Sequence, residues 1–366
     1  MIGAFGAVIS VVLGAYVGSF LNMAIFRLPR RVGLGDIRHE RRRLAGGGTP
    51  AAGDLWTTWV DDIPALPPAL RAALRRAHSA DAQQATLAAA ETHFTAGRHP
   101  WRSVCPRCHH PLGVWDLIPI GSYLVLGGRC RHCRQRIAPL YLLVELLTVA
   151  AFLGVWWAVF HRTLLDPWLA MDLLAYWVFT AVLVAVVFID YEHRIIPHEL
   201  VLVALTVGVV RDGISLVAHR YGFLVVHVPV VGWALPLPPS LVGIVLGFAL
   251  FAGVDLFGRL LFRREEAMGG GDANLGAAIG AVLGPWPALL SFAGAILLGG
   301  VFGAGLMAVW ALRSGVKGAV GHYMPFGPYM AVTAYALLLW VAAYGWGGVL
   351  QGLLSGWDWW VSAVGG

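Results

Sequence analysis

The chain alternates long apolar runs with short polar clusters, and several runs exceed the roughly 18 residues that mark a membrane-crossing helix. The pattern predicts helices near 3–26, 138–160, 168–190, 199–218, 239–262, 274–290, 288–311 and 328–348. The sixth is the least regular, because GPWP at 284–287 cuts its run short. Between about 27 and 137 the pattern changes to a polar, basic stretch that separates the first helix from the second. The first apolar run has no basic residues before it and no small-residue cleavage site after it. It is therefore expected to stay as a helix rather than be removed as a signal peptide.

Composition agrees with this reading. Hydrophobic residues make up 58% of the chain and charged residues 13%, about half the charged share of a soluble domain. The expected fold class is an all-α polytopic membrane protein of about eight transmembrane helices, with a cytoplasmic insertion between helices one and two. The net charge of +6 does not point to nucleic acid, because the basic residues collect on one side. Threading eight helices leaves only Arg162, Arg211 and Arg220, of 26 Lys and Arg, on the other side. The positive-inside rule then puts the N-terminus outside and the basic loops in the cytoplasm, as expected for a multi-pass protein of the cytoplasmic membrane in contact with lipid. An odd helix count would spoil that separation.

The expected domains are a first transmembrane helix at 1–26, a cytoplasmic domain at 27–137, a membrane core at 138–350 and a Trp-rich interfacial tail at 351–366. Within the cytoplasmic domain, 31–100 is a basic insertion rich in Arg, Ala and Pro. There ALRAALRRAHSADAQQATLAAAETHF suggests one or two surface helices and GGGTPAAGD a linker. The part at 101–137 carries all four cysteines.

Those cysteines form C-P-R-C (Cys105, Cys108) and C-R-H-C (Cys130, Cys133), with 21 residues between the pairs. Thiolates three residues apart in a tight turn reach one tetrahedral metal, and a second such turn completes the shell, so a four-thiolate zinc site is expected. A cytosolic location argues against stable disulfides. The other readings are a redox-active pair or two unliganded turns. His109, His110 and His132 are competing ligands only if the thiolates leave a position open. The glycine often found after such turns is absent, with His109 and Arg134 in its place.

Two carboxylates stand where apolar runs meet basic loops: Asp190, ending VFTAVLVAVVFID, and Asp272, in EEAMGGGDAN. A charge beside hydrocarbon is costly and marks a functional site by default. The threading puts both on the cytoplasmic side. Two close carboxylates cannot both ionise, so the pair shares a proton, and one can serve as base while the other serves as acid. Gly269, Gly270 and Gly271 before Asp272 would let an extended substrate backbone approach. Without such a pair, Asp272 would be the N-cap of the sixth helix and Asp190 an interfacial carboxylate beside Arg194. Asn22, Glu145 and Asp255 also lie inside apolar runs, where helix–helix or Arg-paired structural roles are expected. Asp255 is the main rival for a place in the pair. Asp166 and Asp172 flank the outer end of the third helix and look interfacial.

Five motifs in order resemble the bacterial prepilin leader peptidases, aspartic membrane proteases of the Gly-x-Gly-Asp type. GSFLNMAIFRLPR (18–30) is similar to the opening helix of that family. SVCPRCHHPLGVWDLIPIGSYLVLGGRCRHCRQRIAPLYLLVELLT (103–148) is similar to its tetracysteine domain. FIDYEHRIIP (188–197) and EAMGGGDANLGAAIGAVLG (266–284) resemble its two aspartate segments, and MPFGPYMA (324–331) its lead-in to the last helix. The resemblance implies catalysis by Asp190 and Asp272, on type IV prepilins or type II secretion pseudopilins at the cytoplasmic face. It also implies methylation of the new N-terminus with S-adenosylmethionine, although no glycine-rich methyl-donor motif is visible. Asn274 stands where the family usually has Lys, which bears on the pH optimum. His198 stands where it has Asp or Asn, which makes a weaker helix cap. For 31–100 the resemblance leaves two roles, docking on pilus or secretion assembly proteins or a variable loop. Competing readings are a Gly-x-Gly-Asp protease for another membrane substrate without methyl transfer, and a non-catalytic scaffold or transporter. Internal inverted repeats would favour a transporter, and none is evident.

Overall fold

A computed structural model describes residues 2–46, 53–95, 103–105, 107–108, 110–160, 168–219, 224–228, 233–262, 269–314 and 325–344. Among them, seven helices are long and apolar enough to cross a membrane. The elements are α1 Ile2–Ala45, α2 Gly53–Asp62, α3 Pro68–Arg75, α4 Ala80–Thr95, α5 Gly121–Val125, α6 Pro139–Phe160, α7 Leu169–His193 and α8 His198–Val217. Strands β1 Leu224–Val228 and β2 Trp233–Leu237 follow, then α9 Pro239–Phe262, α10 Gly270–Leu283 and α11 Pro285–Ser314. A last helix, α12, covers Gly327–Tyr344. The chain is thus a mostly helical, multi-pass membrane protein. The aromatic tail at 351–366 lies outside the described residues, as does most of the GGGTPAAGD stretch.

Two compact units divide the chain. The first comprises Met1–Gly14, Leu147–Tyr191 and His198–Gly366. Here α7 lies at the centre, with Tyr176, Phe179, Ala185, Val186 and Ile189 fully enclosed. Trp177 donates its indole N–H to the Phe152 carbonyl at 3.1 Å, and the Tyr335 hydroxyl donates to the Ala151 carbonyl at 2.9 Å. Both bonds satisfy polar groups that hydrocarbon would leave unpaired. Asp172, in the first turn of α7, is buried, and Arg211 donates to it at 2.8 Å and to the Tyr176 hydroxyl at 2.9 Å. An acidic group in this position is sheltered because its counter-charge sits on the neighbouring helix. Between α8 and α9 the chain forms a short antiparallel ribbon with His227 opposite Ala234, a feature the apolar pattern did not announce.

The sixth helix departs most from expectation. It begins at Gly270 rather than near 274, ends at Leu283, and Gly284 turns the chain with φ +74° before Pro285 opens α11. A left-handed φ suits glycine, and proline at a first helical position loses no hydrogen bond. With 14 residues, α10 is about 21 Å long, short of the roughly 30 Å hydrocarbon core. Its length is tolerable because protein surrounds it: Leu275, Ala278, Ile279, Val282 and Leu283 are almost fully enclosed.

Glycine faces glycine along that enclosure. A Cβ on Gly243 of α9 would stand 2.0 Å from the Gly280 carbonyl oxygen, and one on Gly247 would stand 2.2 Å from that of Gly276. The Gly-x-x-x-Gly spacing of α9 (243, 247) meets that of α10 (276, 280), so two backbones approach closer than any side chain allows. On α8, a Cβ at Gly208 would meet Ala281 at 2.7 Å.

The second unit comprises Ala15–Leu146 and Glu192–Pro197. Helix α1 does not stop at the membrane edge near residue 26; it runs on through Pro29 to Ala45. Its extension packs with α2, α3 and α4 around Leu34, Ile37, Trp56, Val60, Ile63, Leu74, Leu87 and Phe94. The 69–94 string forms two helices, α3 and α4, as expected, and with α1 and α2 they enclose a core of their own. Trp56 anchors it by donating to the Leu74 carbonyl at 2.8 Å, and Arg38 pairs with Glu91 at 2.8 Å.

Candidate active site and metal centre

Asp190 lies one turn from the end of α7, and Asp272 lies in the first turn of α10; each is 6% exposed. Both belong to the first unit. Gly269 holds the N-cap position of α10, so Asp272 is not the cap; its own backbone N–H donates to the Gly269 carbonyl at 3.0 Å. Gly270 and Gly271 belong to the helix rather than to a loop, and none of the three glycines has a positive φ. What they supply is room. Among the described residues, a Cβ on Gly270 would meet nothing within 4 Å, and one on Gly269 would meet only Asp272 Oδ2, at 4.0 Å.

A third participant escaped sequence reasoning. The backbone N–H of Gly327, at the start of α12, donates to Asp190 Oδ2 at 2.9 Å. A Cβ at 327 would stand 2.6 Å from that oxygen, so only glycine lets the helix start come so near the carboxylate. Phe326, beside it, joins Phe251 of α9 with ring centroids 6.0 Å apart, and Phe251 meets Phe292 of α11 edge to face at 5.0 Å. The FGP string was visible as a motif, but nothing in it named Asp190 as the partner.

Asp255, Asn22 and Glu145 have structural partners. Asp255 pairs with Arg259 one turn along α9. Asn22 donates to the Tyr141 carbonyl at 2.9 Å, and Glu145 accepts from the Ile120 backbone N–H at 2.7 Å. Asn274 follows Asp272 on α10, and α8 begins at His198 itself.

In the second unit, the Sγ atoms of Cys105, Cys108, Cys130 and Cys133 all lie within 4.8 Å of one another. Four thiolates at about 2.3 Å from a tetrahedral zinc stand roughly 3.8 Å apart, and Cys105 and Cys133 are separated by 3.9 Å. The donor set and its spacing fit a metal ion. Each pair sits in a small turn closed by one antiparallel bridge, Val104 with Pro111 and Arg129 with Arg136. Cys105 and Cys130 donate their backbone N–H to the carbonyls of His110 and Gln135, at 3.0 and 2.9 Å. Arg134, standing where glycine was expected, adopts φ +58°, the left-handed conformation that glycine takes without strain. Hydrogen bonds from the backbone N–H groups of Cys133 and His132 lower the Cys130 thiol toward the thiolate a metal requires, while burial and the neighbouring thiols raise that of Cys133. The rings of His110 and His132 meet at a tilt of 34° with centroids 3.5 Å apart. His109 lies outside the described residues.

Comparison with known proteins identifies two family matches. Residues 12–159 match the bacterial Peptidase A24 N-terminal domain, and residues 177–304 match the type IV leader peptidase family. The chain is 36% identical over 240 residues to a prepilin leader peptidase/N-methyltransferase of Aeromonas salmonicida (strain A449), which covers 65% of this chain and 71% of that protein. It is 30% identical over 333 residues to one of Pseudomonas aeruginosa, covering 90% of this chain and 89% of that protein. A third, from Pseudomonas putida, is 29% identical over 338 residues, 92% of this chain and 91% of the relative. No solved structure matches the chain.

Proposed function

The chain belongs to the type IV leader peptidase family, and from that premise we propose that it removes the leader of prepilins or pseudopilins and methylates the new N-terminal amine. The observation that carries the peptidase half is the buried pair Asp190 and Asp272, set at two helix ends beside glycines that leave open space. The scissile bond must be extended, because a helical carbonyl is already hydrogen-bonded. The ionised aspartate takes a proton from water as the water oxygen attacks the carbonyl carbon, and the protonated aspartate gives its proton to the carbonyl oxygen. The first aspartate then gives that proton to the amide nitrogen as the carbon–nitrogen bond breaks, while the second takes a proton back from the diol, which leaves as the carboxylic acid. Gly327 fixes the orientation of Asp190 through its Oδ2. The basic loops favour an inner-membrane protein with this site on the cytoplasmic side.

For methyl transfer, S-adenosylmethionine is the donor that the family resemblance implies. The test is incubation of the purified protein with a prepilin and isotope-labelled donor, followed by mass analysis of the product. A shortened pilin with one labelled methyl on its new N-terminal residue is expected. An intact prepilin would overturn the peptidase reading, and a shortened, unlabelled one the methyltransferase reading.

The four cysteines hold zinc in this reading, with Cys105, Cys108, Cys130 and Cys133 as ligands. Bound zinc would cross-link the two turns. Elemental analysis of purified protein is expected to find about one zinc per chain, falling toward zero in Cys105→Ser. Metal-free wild type with unchanged thermal stability would remove zinc from the account.

A further inference from the structure

The segment between the two cysteine pairs is unusually apolar for a surface. Val114 is 81% exposed, Trp115 75%, Leu124 64% and Val125 85%, and Leu117 and Ile118 are also exposed. Such a patch on a small module marks a contact surface, and three observations within the second unit say what it contacts.

The first is depth. Ile120, in the middle of this segment, donates its backbone N–H to Glu145 Oε2 at 2.7 Å. Glu145 is six residues into α6, so it lies about 9 Å along the helix from Pro139. The first turns of α6 already expose Leu140 and Leu143, the side chains that meet lipid if α6 crosses the membrane. The hydrogen bond therefore holds the segment level with the second turn of a membrane span. The second observation is rigidity. Ile120 has φ +59°, a conformation that a β-branched residue adopts only when its surroundings hold it there. The Tyr123 hydroxyl also donates to the Ile137 carbonyl at 3.4 Å, just before α6 begins. The third is charge. Exposed Arg129, Arg131, Arg134 and Arg136 follow the patch directly, and Arg131 ties back to Asp116 at 2.7 Å. Arg136 comes three residues before the span.

We propose that residues 114–125 form an interfacial membrane anchor. Val114, Trp115, Leu117, Leu124 and Val125 enter the boundary between headgroups and acyl chains, and the four arginines rest on anionic headgroups. The tetracysteine module would then be fixed at the bilayer surface rather than hang from it on a tether. The inference holds whatever the substrate of the chain is.

The full-length protein, reconstituted in vesicles of phosphatidylethanolamine and phosphatidylglycerol, provides the test. A photo-crosslinking phenylalanine is placed at 115 or at 125, at 143 as a lipid-facing reference, and at 89 on the exposed face of α4. Zinc content checks each variant for folding. Lipid adducts at 115 and 125 are expected to match those at 143 and to exceed those at 89 several-fold. Replacing phosphatidylglycerol with phosphatidylcholine is expected to lower the yield at 115. Adducts at 115 and 125 no more frequent than at 89, or crosslinks at those positions to a second copy of the chain or to an added prepilin, would overturn the anchor. A yield indifferent to lipid charge would overturn the role of the arginines.

Discussion

Asp190→Asn and Asp272→Asn are each expected to lower leader cleavage by roughly 10³-fold or more, the size of a lost general acid or base, while the protein still inserts and extracts from the membrane normally. Asparagine keeps the shape of aspartate, and at 190 its carbonyl can still accept the N–H of Gly327. The buried environment is thus preserved and the proton-transfer role alone is lost. Leader cleavage is read by the mobility shift of a prepilin, and folding by thermal unfolding in detergent. Full cleavage by either variant would sink the two-carboxylate mechanism. A loss of both cleavage and folded protein would point to structure instead, and the retained hydrogen bond makes that outcome unexpected. Asp255→Asn should leave cleavage near wild type, because that carboxylate is held by Arg259 on its own helix.

Two glycines on α9 are expected to respond with very different outcomes to the same change. Gly243→Ala puts a methyl 2.0 Å from the Gly280 carbonyl oxygen, and backbone cannot step aside as a side chain can. A cost of about 3 kcal/mol or more is expected, at the severe end of overpacking. Gly253→Ala, ten residues along the same helix, meets nothing within 4 Å among the described residues and should stay within about 0.5 kcal/mol of wild type. Unfolding in mixed detergent micelles measures both. Equal effects would mean that α9 and α10 do not touch through these glycines. Cleavage should fall with Gly243→Ala as well, since α10 carries Asp272.

These contrasts separate what the sequence could reveal from what it could not. The catalytic candidates and the four cysteines were visible because their chemistry is local: a carboxylate at the end of an apolar run, or two thiols three residues apart, is unusual wherever it occurs. Seven of the helices were visible because an apolar run of span length has no stable place in water. The start of α10 was not, since hydropathy reports how apolar a run is and not what surrounds it. The small, glycine-rich Gly270–Leu283 looks like a weak span until its neighbours are known. The bond from Gly327 to Asp190 joins residues 137 positions apart, and no periodicity encodes it. The buried pairing of Arg211 with Asp172 was hidden for the same reason, since each residue alone looked like an ordinary loop-facing charge. In the 31–100 region, composition suggested solvated helices. Leu34, Ile37, Trp56 and Phe94 are too scattered along the chain to announce a shared core.

The brevity of α10 also bears on how the protein is made. A segment of 14 residues, rich in glycine and alanine, is a poor substrate for independent insertion by the translocation machinery, which rewards long apolar stretches. It has to enter the bilayer already paired, most directly as a hairpin with α11 across Gly284 or clasped to α9 through the facing glycines. Asp272 therefore reaches its buried position as a product of helix assembly. A nascent chain stalled before that step would hold its long spans with Asp272 not yet in place.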